Sequence, residues 1–69
     1  MNQPIYKVIE IVGTSTKSVE EAIEAAIKRA SSTINNLDWF EVIDTRGCIE
    51  KNKVKRYQVT LKVGFRLDE

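Results

Sequence analysis

The sequence predicts an α+β domain in the order β-α-β-β, a three-stranded antiparallel sheet packed on one helix. Three observations carry this. From Val54 to Leu67 the residues alternate. Tyr57, Val59, Leu61, Val63, Phe65 and Leu67 share one face, and Arg56, Gln58, Thr60, Lys62, Gly64 and Arg66 share the other, the period of a half-buried strand. Val19, Ile23, Ala26, Ile27, Ala30 and Ile34 recur at three- and four-residue spacing, the apolar stripe of an amphipathic helix. Lys51-Asn52-Lys53 is a short polar break between two long strand-like runs, so those runs pair as an antiparallel hairpin.

Each element has its own signals. Tyr6 to Val12 is rich in β-branched residues and reads as the first strand, with Pro4 setting its start. Gly13-Thr14-Ser15-Thr16 reads as a turn cluster. Ser18 is placed as a helix N-cap, with Glu21 completing a capping box. Glu20 and Glu21 put negative charge at the positive end of the helix dipole. The helix is expected over Val19 to Asn35, with Glu24 and Lys28 as a favourable i,i+4 pair and Asn35-Asn36 ending it. The second strand is expected over Asp38 to Ile49, with Gly47 as the candidate bulge or bend.

Composition excludes several function classes. A chain of 69 residues is one small domain, and such domains often need a disulfide, a metal or oligomerisation. Cys48 is the only cysteine and there is no histidine. An internal disulfide, a histidine zinc site and an imidazole base are therefore excluded. Cys48 itself reads as packing rather than as a nucleophile. Oligomerisation is the remaining staple. Eleven basic against ten acidic residues give a net charge of +1, without the footprint of a nucleic-acid binder. No apolar run is long enough to span a membrane. Met1-Asn2-Gln3-Pro4 does not begin a signal peptide, so a cytoplasmic protein is expected.

Trp39 is the feature that bulk packing does not explain. One face of the sheet packs on the helix, and that must be the apolar face of the last strand. If Phe40 and Val42 join it, alternation leaves Trp39, Glu41 and Ile43 on the outer face with Gln58 and Arg66. An indole there is either packed in a subunit interface or offers a flat surface to an aromatic ligand. Gln58, on the same face, offers one carbonyl acceptor and two N–H donors. Strict alternation puts Arg46 on the Phe40 face unless a bulge near Gly47 turns it.

Together these residues resemble the dodecins. The resemblance spans nearly the whole chain. It rests on Tyr6-Lys7-Val8-Ile9-Glu10-Ile11-Val12-Gly13-Thr14-Ser15, Leu37-Asp38-Trp39-Phe40-Glu41-Val42, Arg46-Gly47, Tyr57-Gln58-Val59 and Val63-Gly64-Phe65-Arg66-Leu67. It implies a β-α-β-β subunit assembled into a hollow homododecamer, with each flavin site on a two-fold axis holding two stacked flavins. It implies that Trp39 stacks on an isoalloxazine ring, that Gln58 contacts the flavin, and that Arg46 and Arg66 lie near the phosphate or the ring of FMN. Riboflavin or another flavin is the alternative ligand, and some dodecins look able to bind coenzyme A at a separate site. The function so implied is non-catalytic: flavin storage and protection, with excited-state quenching by the stacked indole. Two other readings stand beside it, a small flavin-dependent oxidoreductase and an oligomeric module for coenzyme A or another nucleotide-like ligand.

Overall fold

The computed structural model describes residues 3–68, so the reading of Met1 and Asn2 lies outside the described residues. Four elements follow one another: β1 (Tyr6–Ser15), α1 (Val19–Ser31), β2 (Leu37–Glu50) and β3 (Lys53–Arg66). β3 is the central strand, antiparallel to β1 on one side and to β2 on the other. The expected order and pairing are found.

β1 continues past Val12, and Gly13, Thr14 and Ser15 are strand rather than turn. They pair with Val59, Gln58 and Tyr57. A ladder on a central strand satisfies their backbone groups better than an early turn would. Gly13 serves packing instead. A Cβ there would lie 2.2 Å from the Ala22 carbonyl oxygen and 2.9 Å from Ala26 Cβ. The helix therefore rests almost on the backbone of β1.

Ser18 caps the helix, its hydroxyl oxygen accepting from the Glu21 amide at 3.0 Å. The Ser18 amide donates to Ser15 Oγ at 3.4 Å, so Ser15 holds the group that a capping box assigns to Glu21. The helix ends at Ser31, four residues before the expected Asn35. The hydroxyls of Ser31 and Ser32 donate to the carbonyls of Lys28 and Arg29 at 2.8 and 2.7 Å, side-chain bonds that compete with further helical turns. Asn36 then reverses the chain at a φ of 66°, a region asparagine enters readily.

The core joins Ala22 and Ala26 of α1 to Val59, Leu61 and Val63 of β3, with Ile9, Ile11, Val19, Ile23, Ile27 and Leu37 packed at its edge. Burying each of the three β3 side chains stabilises the fold by about 1.5–3 kcal/mol. The small alanines and Gly13 bring α1 close to β1 and β3. The inner face of β2 beyond Leu37 is left uncovered. Phe40 and Val42 lie on the core face, opposite Val63 and Leu61, yet remain 49% and 42% exposed.

β2 is not a regular strand. Its register against β3 shifts between Leu37 and Trp39 and between Val42 and Asp44, with Asp38 and Ile43 as the extra residues. A third shift, between Cys48 and Ile49, puts the extra residue, Lys55, on β3. Gly47 pairs regularly with Tyr57, so the bulge expected there is absent. Lys51 and Asn52 make the hairpin turn with φ of 53° and 64°, two left-handed residues as a type I′ turn requires.

Candidate functional site

The outer face of the sheet carries every candidate residue, in two groups. At one end Trp39 pairs with Gly64 on β3, which pairs with Val8 on β1. A Cβ on Gly64 would fall within 2.2–2.5 Å of indole atoms Cε2, Cζ2 and Nε1. Gly64 is thus the seat of the tryptophan: the missing side chain lets the ring lie against the sheet. Trp39 is 42% exposed.

Arg66 lies two residues beyond Gly64, opposite Tyr6. Tyr6 bonds to the carboxylate of Asp38, the extra residue just before Trp39. That bond, with desolvation and the nearby negative charge, raises the tyrosine pKa, and the Arg66 charge opposes the rise. This end therefore combines a half-exposed indole, a phenol, a carboxylate and a guanidinium.

The second group lies six residues down β3, where Gln58 sits opposite both Arg46 and Thr14. Gln58 is half-buried. Arg46 Nη2 lies 3.4 Å from Asp44 Oδ2. The other carboxylate oxygen of Asp44 is buried and finds no donor among the described residues. The row Glu10, Lys62 and Glu41 crosses the face between the two groups.

The placement of Arg46 corrects strict alternation. The extra residue at Ile43 inverts the parity of everything after it. Asp44, Arg46 and Cys48 therefore face outward, opposite Thr60, Gln58 and Arg56. The irregularity that turns Arg46 is at Ile43, not at Gly47. Ile43 itself is the bulged residue and does not belong to the paired row of Trp39 and Glu41.

Trp39, Gln58, Arg66 and Arg46 thus share one face, but one chain does not bring all four together. Six strand residues separate Gly64 from Gln58, about 20 Å, further than a three-ring aromatic system extends. Gly64 and Asp44 are functional candidates that sequence reasoning missed. Gly64 carried a signal, a glycine within the alternating outer row of the last strand, whereas Asp44, between Ile43 and Thr45 with Glu41 and Arg46 close by, carried none.

Other chemistry is sparse. Among the described residues no three metal-ligating side chains cluster, and no helix is long and apolar enough to cross a membrane. Cys48 is half-buried, its sulfur 3.5 Å from Arg56 Nη2.

Comparison with known proteins agrees with this architecture. The family model described as Dodecin matches residues 5–68. A dodecin of Thermus thermophilus is 55% identical over 65 residues, 94% of each chain. The solved dodecin from Streptomyces davaonensis aligns with a TM-score of 0.95 at 51% identity, covering 99% of this chain and all of that one. A calcium dodecin of Mycobacterium tuberculosis is 32% identical over 63 residues, 91% of this chain and 89% of its own.

Proposed function

The chain belongs to the dodecins, small non-catalytic flavin-binding proteins known to form homododecamers, and on that premise we propose that it stores and photoprotects FMN. It does so as a homododecamer, with paired flavins held between Trp39 side chains at subunit interfaces. The observation that carries this is the seat of Trp39. The indole is half exposed, laid against Gly64 and about 20 Å along the strand from Gln58 of its own chain. That separation supports a site completed by a second copy.

The residues fit such a ligand. The Trp39 indole supplies a flat electron-rich surface. Gln58 presents donors and an acceptor to a ring edge. Arg46 and Arg66 supply planar guanidinium forks suited to a phosphate. Asp44 holds the Arg46 fork on the outer face. A bound flavin supplies light absorption and one-electron chemistry. The part of Trp39 is to cover the ring and to quench its excited state as an electron donor.

The test is a titration of the ligand-free protein into dilute FMN, followed by flavin fluorescence. Saturable quenching at about one flavin per chain is expected, from two rings between two indoles. Trp39→Ala should bind far more weakly and leave any bound flavin fluorescent. Tight binding with full quenching in that variant refutes the stacking role.

A further inference from the structure

The end of the outer face that carries the indole holds more chemistry than stacking uses. Trp39 and Arg66 have parts in the function proposed above, whereas Tyr6 and Asp38 have none. Tyr6 stands opposite Arg66 on β1, two register positions from the row of Val8, Gly64 and Trp39. That spacing keeps it on the same face as the indole. From strand spacing and rise, the Cα atoms of Tyr6 and Trp39 lie about 12 Å apart. The side chains come closer. The indole lies over Gly64, on the strand between them. The phenol spans the same strand to bond to Asp38, the chain neighbour of Trp39 and the extra residue of the first bulge.

Burial does not demand this bond. Tyr6 is 40% exposed, and a phenol open to water has acceptors enough. Tyr57, the other tyrosine, has no such place. It lies on the inner face, seven residues from Gly64 along β3 and about 23 Å away. An indole that has given up an electron is a radical cation, open to attack by water and dioxygen. A phenol bonded to a carboxylate is suited to repair it, because it releases an electron and a proton together and keeps no charge on its ring.

We propose that Tyr6 is the reserve electron donor of Trp39, with Asp38 as its proton acceptor, so that the cluster repairs the indole after one-electron oxidation. This rests on the function proposed above for its oxidant, a light-excited flavin. The step balances within the cluster. The Tyr6 O–H bond breaks, one electron passes to the oxidised indole, and the proton passes to the Asp38 carboxylate. Trp39 is restored with its N–H intact, Tyr6 becomes a neutral phenoxyl radical, and Asp38 becomes a neutral acid. Arg66 eases the release, since its positive charge counters the hold of Asp38 on that proton. The electron first taken from Trp39 then returns to Tyr6, and Asp38 hands the proton back. Nothing is consumed.

The experiment needs no flavin. Azidyl radicals are generated by a radiolysis pulse in a solution of the assembled, ligand-free protein. They oxidise indoles in preference to phenols, and the two oxidised rings absorb at different wavelengths. Decay of the indole signal matched by growth of the phenoxyl signal is expected, at a rate independent of protein concentration. Tyr6→Phe should abolish that growth and leave the oxidised indole long-lived, whereas Tyr57→Phe should behave as wild type. Asp38→Asn keeps an acceptor for the phenol but not a base, and should slow the transfer about tenfold or more. It retains Tyr6, so it reads the step even where Tyr6→Phe fails to assemble. A purely structural Tyr6–Asp38 bond gives no phenoxyl growth in the wild type. That outcome, growth that survives in Tyr6→Phe, or a wild-type rate in Asp38→Asn overturns the proposal. FMN quenching on the same samples separates the two ideas. Quenching without indole-to-phenol transfer sinks only the repair step, and transfer without quenching sinks only the flavin reading.

Discussion

Gly64→Ala tests the seat of the tryptophan directly. At an ordinary strand position the change stabilises a protein by about 0.4–1 kcal/mol, because alanine restricts the unfolded chain. Gly64 has no positive φ to forbid it. The added methyl, however, would stand 2.2 Å from Trp39 Cε2, and ordinary contact requires the ring to retreat by about 1.2 Å. If the ring stays, overpacking costs about 1–3 kcal/mol and stability falls. If it swings away, stability is little changed but the stacking surface is lost. In both cases FMN binding suffers, and a stacking loss of about 1.4–2.8 kcal/mol raises Kd about 10- to 100-fold. Val63 and Phe65 point to the other face, so the core should remain intact. The assay is FMN fluorescence titration with urea unfolding and assembly size measured alongside. Wild-type affinity and quenching in Gly64→Ala would falsify the claim that this glycine positions the indole.

Gly13→Ala should destabilise more than Gly64→Ala, by about 1–3 kcal/mol or beyond, because the added methyl meets the Ala22 carbonyl, backbone that moves only with the helix; an unchanged unfolding midpoint would refute the close approach. Ser18→Ala removes the N-cap bond at 3.0 Å and should cost about 1 kcal/mol in the same assay, so a neutral result would show that Ser15 suffices. Arg46→Ala and Arg66→Ala should each weaken FMN more than riboflavin, and an equal loss for both ligands would remove phosphate from the roles of these arginines. Tyr6 gives a pH prediction. Its bond to Asp38 raises its pKa, so the folded state favours the protonated phenol. That stabilisation is complete below the ordinary tyrosine value of about 10 and is lost as pH rises through the raised value. Tyr6→Phe should flatten the alkaline fall in stability, and identical pH profiles would contradict the contact.

The parts legible in the sequence are those where burial writes a period. Val59, Leu61 and Val63 alternate with Gln58, Thr60 and Lys62 because one face meets the helix, and this predicted the last strand and its outward side chains correctly, though not its central place in the sheet. The N-cap at Ser18 was legible because its chemistry is local. The bulge at Ile43 was not. One extra residue changes parity without changing composition, and Ile43 is an apolar β-branched residue between similar neighbours. Gly47 looked like the irregular position, but it pairs regularly. Gly13-Thr14-Ser15 has turn composition, and the central strand overrides it by supplying hydrogen-bond partners. Distance along the face was not legible either. Parity placed Trp39 with Gln58, and only the register shows them six residues apart.

That separation ties ligand to assembly. Gly13 and the alanines draw α1 onto β1 and β3, so β2 keeps an uncovered apolar inner face at Phe40 and Val42. The bulge at Ile43 puts Arg46 beside Gln58 on the outer face. On the proposed reading, the outer side of the same strand meets a ligand shared between copies. A ligand that binds only where two copies meet stabilises the assembled state by mass action, and assembly raises ligand affinity by the same coupling free energy. FMN should therefore lower the protein concentration at which the oligomer dissociates, by a factor that grows with free FMN above its Kd. Light scattering on a dilution series with and without FMN measures it. An identical dissociation midpoint in both series, with FMN shown to be bound, would place the whole ligand site within one chain and contradict the reading of a site completed by a second copy.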